Sequence, residues 1–259
     1  MSNTLTRVIV GIIAIPIFLF IIYQGGIYFF ILSLLISGIA LWEFYSMFQL
    51  KGYNVFKFTM IGVSLCSMIL YYYNGIPVYY FFILIVFLSI VFEILRGKGL
   101  NPFNVFISLF GFSYIALPFM FMNVIVNTPG FNYLIFIIIL VWVCDTFAYF
   151  GGKMFGKHQL SSISPKKTIE GSVIGFIFTI IFALIFYFAA PEVTFMKALI
   201  IGILVGIFSQ VGDLFESLLK RYCGVKDSSH IIPGHGGVLD RFDSLIFIIP
   251  IIYLYVNLL

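Results

Sequence analysis

A chain of 259 residues that is 62% hydrophobic, 20% aromatic and only 9% charged lies far from the roughly 25% charged residues of a water-soluble domain. That composition describes an integral membrane protein, and it excludes a soluble enzyme or a separate soluble domain. The net charge of +4 reads as a topology signal with no nucleic-acid partner. The three cysteines, Cys66, Cys144 and Cys223, lack metal-ligand spacing, so neither a zinc site nor disulfides are expected.

The apolar runs are apolar on every side rather than alternating over about 10 residues, so they predict helices and not barrel strands. In chain order the spans fall near 8–24, 27–48, 56–73, 77–95, 104–126, 131–150, 171–190, 194–213 and 243–258, each close to the roughly 20 residues a bilayer crossing needs. The first run has no small-residue cleavage site and leads straight into the next, so it is read as retained. Turn residues separate the runs, among them Gln24-Gly25-Gly26, Asn74-Gly75-Ile76-Pro77 and Arg96-Gly97-Lys98-Gly99, and the short breaks make consecutive spans antiparallel neighbours. The expected fold is an all-α polytopic transmembrane bundle of about nine spans. It divides into N-terminal helices over 1–100 and C-terminal helices over 101–259 that carry a cytoplasm-facing site.

Basic residues set the orientation, because short cytoplasmic loops are enriched in Lys and Arg. With the N-terminus inside, the nine-span pattern puts Lys197 alone outside and the other 13 of the 14 Lys and Arg residues inside. The expectation is a multi-pass protein of the cell membrane with a cytoplasmic N-terminus and an outward C-terminus.

Ionisable groups at membrane depth are costly and therefore point to function. On a helix, Asp213, Ser217 and Lys220 stand at i, i+4 and i+7 on one face, and Asp240 and Asp243 share another. Three carboxylates and a hydroxyl beside Lys and Arg suit magnesium bridging phosphate oxygens. Gly234-His235-Gly236-Gly237 permits close backbone approach to an anion, although a plain inter-helix turn would look the same.

From Ser217 through Lys220-Arg221, Lys226-Asp227, Pro233, His235-Gly236-Gly237 and Asp240-Arg241 to Asp243, these 27 residues resemble the signature of the CDP-diacylglycerol synthases, or phosphatidate cytidylyltransferases. The resemblance implies transfer of a cytidylyl group from CTP to phosphatidic acid with release of pyrophosphate, membrane lipids as surroundings, and a homodimer. It also implies a two-metal centre of magnesium and a second cation such as potassium at Asp213, Ser217, Asp240 and Asp243, with Lys220 catalytic as well. Arg221, Lys226, Asp227, His235, Gly236, Gly237 and Arg241 are the matching substrate-binding positions.

Two further blocks resemble the same family. Ser164-Pro165-Lys166-Lys167-Thr168-Ile169-Glu170-Gly171 places Lys166 and Lys167 before a helix start, where they suit a triphosphate; a basic inside loop is the plainer alternative. Asp145, in the Asp-x-x-Ala-Tyr-x-x-Gly pattern, either orients the nucleotide or pairs with a lysine. Glu43 and Glu93 read as acids that snorkel to the interface or pair with nearby bases, and His158 and His230 as loop residues. A transporter would repeat an interrupted helix pair in both halves, whereas these polar groups gather late in the chain and on one side. A CTP-dependent polyprenol kinase or the archaeal ether-lipid synthase would not show the whole signature, and the motif of the CDP-alcohol phosphatidyltransferases is absent.

Overall fold

The structure, a computed structural model, describes residues 3–128, 133–189, 193–232, 234 and 236–258. Its helices are α1 (Asn3–Gln24), α2 (Gly26–Leu50), α3 (Lys57–Asn74), α4 (Val78–Leu95), α5 (Phe103–Gly111), a π turn (Phe112–Ala116), α6 (Leu117–Val126), α7 (Tyr133–Phe155), α8 (Ile169–Ala189), α9 (Phe195–Tyr222) and α10 (Leu239–Leu258). The π turn joins α5 to α6 in one rod, so each of the nine predicted runs is helical over its described residues; positions 131, 132 and 190 of those runs lie outside them. Among the described residues the remaining regular pairing is two isolated bridges, Gln159 with Thr168 and Ile232 with Gly236. Helices dominate because an apolar solvent offers no partner to a backbone N–H or C=O, and a helix satisfies both within the segment.

Among the described residues, six helices are long and apolar enough to cross a membrane: Gly26–Leu50, Val78–Leu95, Phe103–Val126, Tyr133–Phe155, Ile169–Phe188 and Phe195–Tyr222. The protein is thus a multi-pass membrane protein. α9 differs most from its predicted bounds: the helix runs on from 213 to Tyr222. That extension makes Asp213, Ser217 and Lys220 helical and confirms their one-face spacing.

The chain forms two compact units, one of Met1–Asn123 with Tyr222–Arg241, the other of Val124–Arg221 with Phe242–Leu259. In the first, Phe44 and Tyr45 of α2 are fully buried, and the Tyr45 hydroxyl donates to the Ser108 carbonyl at 3.0 Å. A Cβ on Gly111 would meet that hydroxyl at 2.6 Å, which explains a glycine just ahead of the π turn. Glu93 accepts from the Asn101 N–H at 2.7 Å and the Asn104 amide at 3.0 Å and pairs with Arg96 at 3.3 Å, the base-paired alternative of the two the sequence offered.

The second unit is knit by small residues. A Cβ on Gly171 would lie 2.5 Å from the Ala148 carbonyl, and one on Gly175 would lie 2.8 Å from the Cys144 carbonyl. α7 and α8 therefore touch backbone to backbone, the packing that lets helices associate where lipid removes the hydrophobic drive. Gly202 and Gly206 of α9 leave room for the side chains of Ala183 and Phe176 of α8, each 2.8 Å from where a Cβ would sit. This pair of small residues serves packing within one chain.

Candidate active site

In the second unit the site begins at α9. Gly212 lets α10 come close: a Cβ there would sit 2.6 Å from Phe247 Cβ and 3.0 Å from the Asp243 carbonyl. The next residue, Asp213, forms an ion pair with Lys167, both side chains being partly exposed. Asp243 accepts from the Ser244 N–H at 2.7 Å and stands within electrostatic reach of Asp213, Asp145 and Lys220. Three acids of the predicted set thus gather here with two of its lysines. Lys220 also forms a buried i,i+4 ion pair with Glu216, which is fully buried.

The loop ahead of α8 holds Lys167 in place through its own hydrogen bonds. Thr168 Oγ1 accepts from the Gly171 N–H at 3.1 Å, capping α8. Glu170 accepts from the Lys157 N–H at 3.0 Å and the His158 N–H at 3.2 Å, with His158 Nδ1 at 2.6 Å. The Leu160 N–H donates to the Lys167 carbonyl at 2.8 Å. Lys166 is exposed. In the Asp-x-x-Ala-Tyr-x-x-Gly pattern, Ala148 and Gly152 lie against Gly171, so packing accounts for the small residues while Asp145 remains exposed.

The first unit contains the rest of the signature. A cavity of about 460 Å³ is lined by Lys226, Asp227, His230, Ile232, Gly234, Gly236 and Arg241. Gly236 turns the chain at φ 84, a conformation that glycine adopts without strain, and the Ile232 N–H closes the turn on the Gly236 carbonyl at 2.9 Å. His230, read from sequence as a plain loop residue, faces this cavity. Pro233 and His235 lie outside the described residues.

Asp240 fastens this loop. Its Oδ2 accepts from the Ser228 N–H at 2.9 Å, the Gly237 N–H at 2.8 Å and lies 3.1 Å from the Ser228 hydroxyl. The Gly237 N–H expected to face a phosphate is directed to Asp240, and glycine is required at 237 because a Cβ would run into Ser228 and Glu43. Glu43 is fully buried and accepts from Ser228, Ser229, Val238 and Leu239. It does not snorkel, and among the described residues it forms no ion pair with a base.

Residues 5–259 match the cytidylyltransferase family. The chain is 34% identical over 258 residues to the phosphatidate cytidylyltransferase of Staphylococcus saprophyticus, covering 95% of this chain and 96% of that one. It is 34% identical over 252 residues to the one from Staphylococcus aureus, with the same coverage, and 34% identical over 258 residues to that of Bacillus subtilis, covering 95% of each. The chain belongs to the cytidylyltransferase family.

Asp213 and Asp243 supply hard oxygen, but among the described residues no three His, Cys, Asp or Glu side chains gather closely enough to cage an ion. One or two carboxylates completed by substrate phosphates is the usual way magnesium is held, so this cytidylyltransferase has a donor set that fits an ion arriving with a nucleotide. The sequence placed Glu43 only as an interfacial or base-paired acid and assigned no role to Glu170 or Glu216. Glu43 carried a signal, an acid inside an apolar run, but its partners lie 185 or more positions away.

Proposed function

We propose that the protein transfers the cytidylyl group of CTP to phosphatidic acid at the cytoplasmic face of the cell membrane. An oxygen of the lipid phosphate attacks the α-phosphorus; the bond from that phosphorus to the bridging oxygen breaks, and pyrophosphate leaves, giving CDP-diacylglycerol. The observation that supports this best is the convergence of Asp213, Asp243 and Asp145 with Lys167 and Lys220 in a chain whose relatives are named phosphatidate cytidylyltransferases.

Two anions must meet in this reaction, so charge neutralisation and alignment are the main protein contributions. Lys167, held by the ordered loop ahead of α8, is placed to exchange Asp213 for a nucleotide phosphate, and the exposed Lys166 adds charge beside it. Lys226 and Arg241, with His230, line a cavity suited to a phosphoryl group, and Asp227 bounds it. Arg221, exposed at the end of α9, is a further phosphate-binding cation. Gly236 and Gly237 keep that approach open. Asp213 and Asp243 of the second unit, with Ser217 as a matching family position, would hold magnesium and a second cation such as potassium, which would supply neutralisation of the developing phosphate charge. No side chain needs to take a proton from the attacking phosphate, which is already ionised. The N-terminus lies in the cytoplasm, and the protein acts as a homodimer.

The test is direct. Purified protein in lipid vesicles is supplied with phosphatidic acid, magnesium and labelled CTP. Labelled lipid and pyrophosphate should appear in equal amounts; no labelled lipid with this substrate overturns the assignment.

A further inference from the structure

Glu43 of α2 is the most thoroughly satisfied acid in the first unit. Its Oε1 accepts from the Ser229 hydroxyl at 2.5 Å and the Val238 N–H at 2.9 Å. Its Oε2 accepts from the Leu239 N–H at 2.7 Å and lies 3.0 Å from the Ser228 hydroxyl. The Val238 and Leu239 N–H groups belong to the start of α10, where the helix has no carbonyl of its own to offer them. A carboxylate from another helix thus meets the positive end of α10, while Asp240 ties the same loop from within.

We infer that Glu43 is the positioning residue of the signature loop: from α2 it fixes the loop at Ser228, Ser229, Val238 and Leu239, and so the placement of the cations that flank it. Each partner explains the other. A carboxylate at 0% exposure is strongly disfavoured unless hydrogen bonds replace its water, and four donors do so. The loop, in turn, gains a fixed anchor on a helix that packs deep in the unit through Phe44 and Tyr45. This inference rests on the cytidylyltransferase reading for its kinetic consequence alone; the structural consequence stands apart from it.

Glu43→Gln keeps the shape but turns an amide NH2 toward a backbone N–H, which has no other acceptor to choose. Misalignment of this kind in a reacting site costs about 100-fold in kcat, with KM for CTP changed by no more than about threefold because the loop cations are still present. Hydrogen exchange of the intact protein in vesicles should show the amides of 237–239 exchanging about tenfold faster, with α7 and α8 unchanged. Ser229→Ala removes one of the four donors and should give the same pattern at smaller amplitude, which keeps the test open if Glu43→Gln fails to fold. Wild-type kcat in both variants overturns the inference. So does a lost kcat with unchanged loop exchange, or a loss of protection spread over the whole chain. If wild-type protein transfers no nucleotide, the functional reading fails, and the exchange arm alone decides whether Glu43 holds the loop.

Discussion

Where α7 meets α8, backbone lies against backbone because Gly171 and Gly175 have no side chains; where the loop 223–238 leads into α10, two carboxylates hold the chain by hydrogen bonds. The first region is apolar and is fixed by close packing, which is short-ranged and tolerates no added volume. The second is polar and is fixed by directed bonds, which tolerate little change of charge or donor. Mutations should therefore separate them by readout: volume changes damage stability in the first, and near-isosteric changes that remove a charge or a donor damage activity in the second. The cluster around Asp213 shows the same polar behaviour.

The largest expected effect is on the acids. Asp213→Asn or Asp243→Asn should lower CTP-dependent labelling of lipid about 10³-fold, since charge stabilisation of the transition state is lost, while the protein still inserts and elutes as wild type. Retained activity in both variants would remove them from the site. Lys167→Ala comes next, at about 100-fold in kcat/KM for CTP. Its pair with Asp213 is 28% and 32% exposed, so the melting midpoint should barely move; a large fall in stability with normal kinetics would make the pair structural.

Volume changes follow. Gly175→Val drives a side chain into the Cys144 carbonyl and should cost about 2–3 kcal/mol, seen as a lower thermal midpoint in detergent. Gly62 of α3 has nothing within 4 Å of an added Cβ, so Gly62→Ala should change stability by less than about 1 kcal/mol, in the stabilising direction if at all. Equal losses at both positions would break the packing account. The smallest effect concerns Cys223, whose thiol burial pushes up to about 11. Alkylation requires the thiolate, so labelling should be slow at neutral pH and should rise about tenfold per pH unit as pH climbs toward that value.

The helical fold was readable because lipid imposes a single solution on long apolar runs, and the run ends were marked by Gly25, Gly75 and Gly97, each at positive φ. The extension of α9 past 213 was not readable from hydropathy, since Asp213, Glu216 and Lys220 interrupt the apolar pattern without breaking the helix. Within the site, spacing along a helix exposed the Asp213–Ser217–Lys220 face, and the two-lysine block pointed to Lys167. What spacing could not supply is pairing across the chain: Lys167 with Asp213, or Glu43 with a loop nearly two hundred residues later. The glycines illustrate the same limit. Gly152 and Gly237 both stood in motifs, yet one is needed for helix contact and the other for room beside Ser228 and Glu43.

At 28 residues and 1.5 Å per residue, α9 is about 42 Å long, against a hydrocarbon core of about 30 Å. That excess of about 12 Å is enough for its polar last turns, Asp213 to Arg221, to reach past the hydrocarbon core toward the headgroup layer. A substrate met there keeps its acyl chains among its neighbours, and so avoids the roughly 0.8 kcal/mol that each methylene drawn into water would cost.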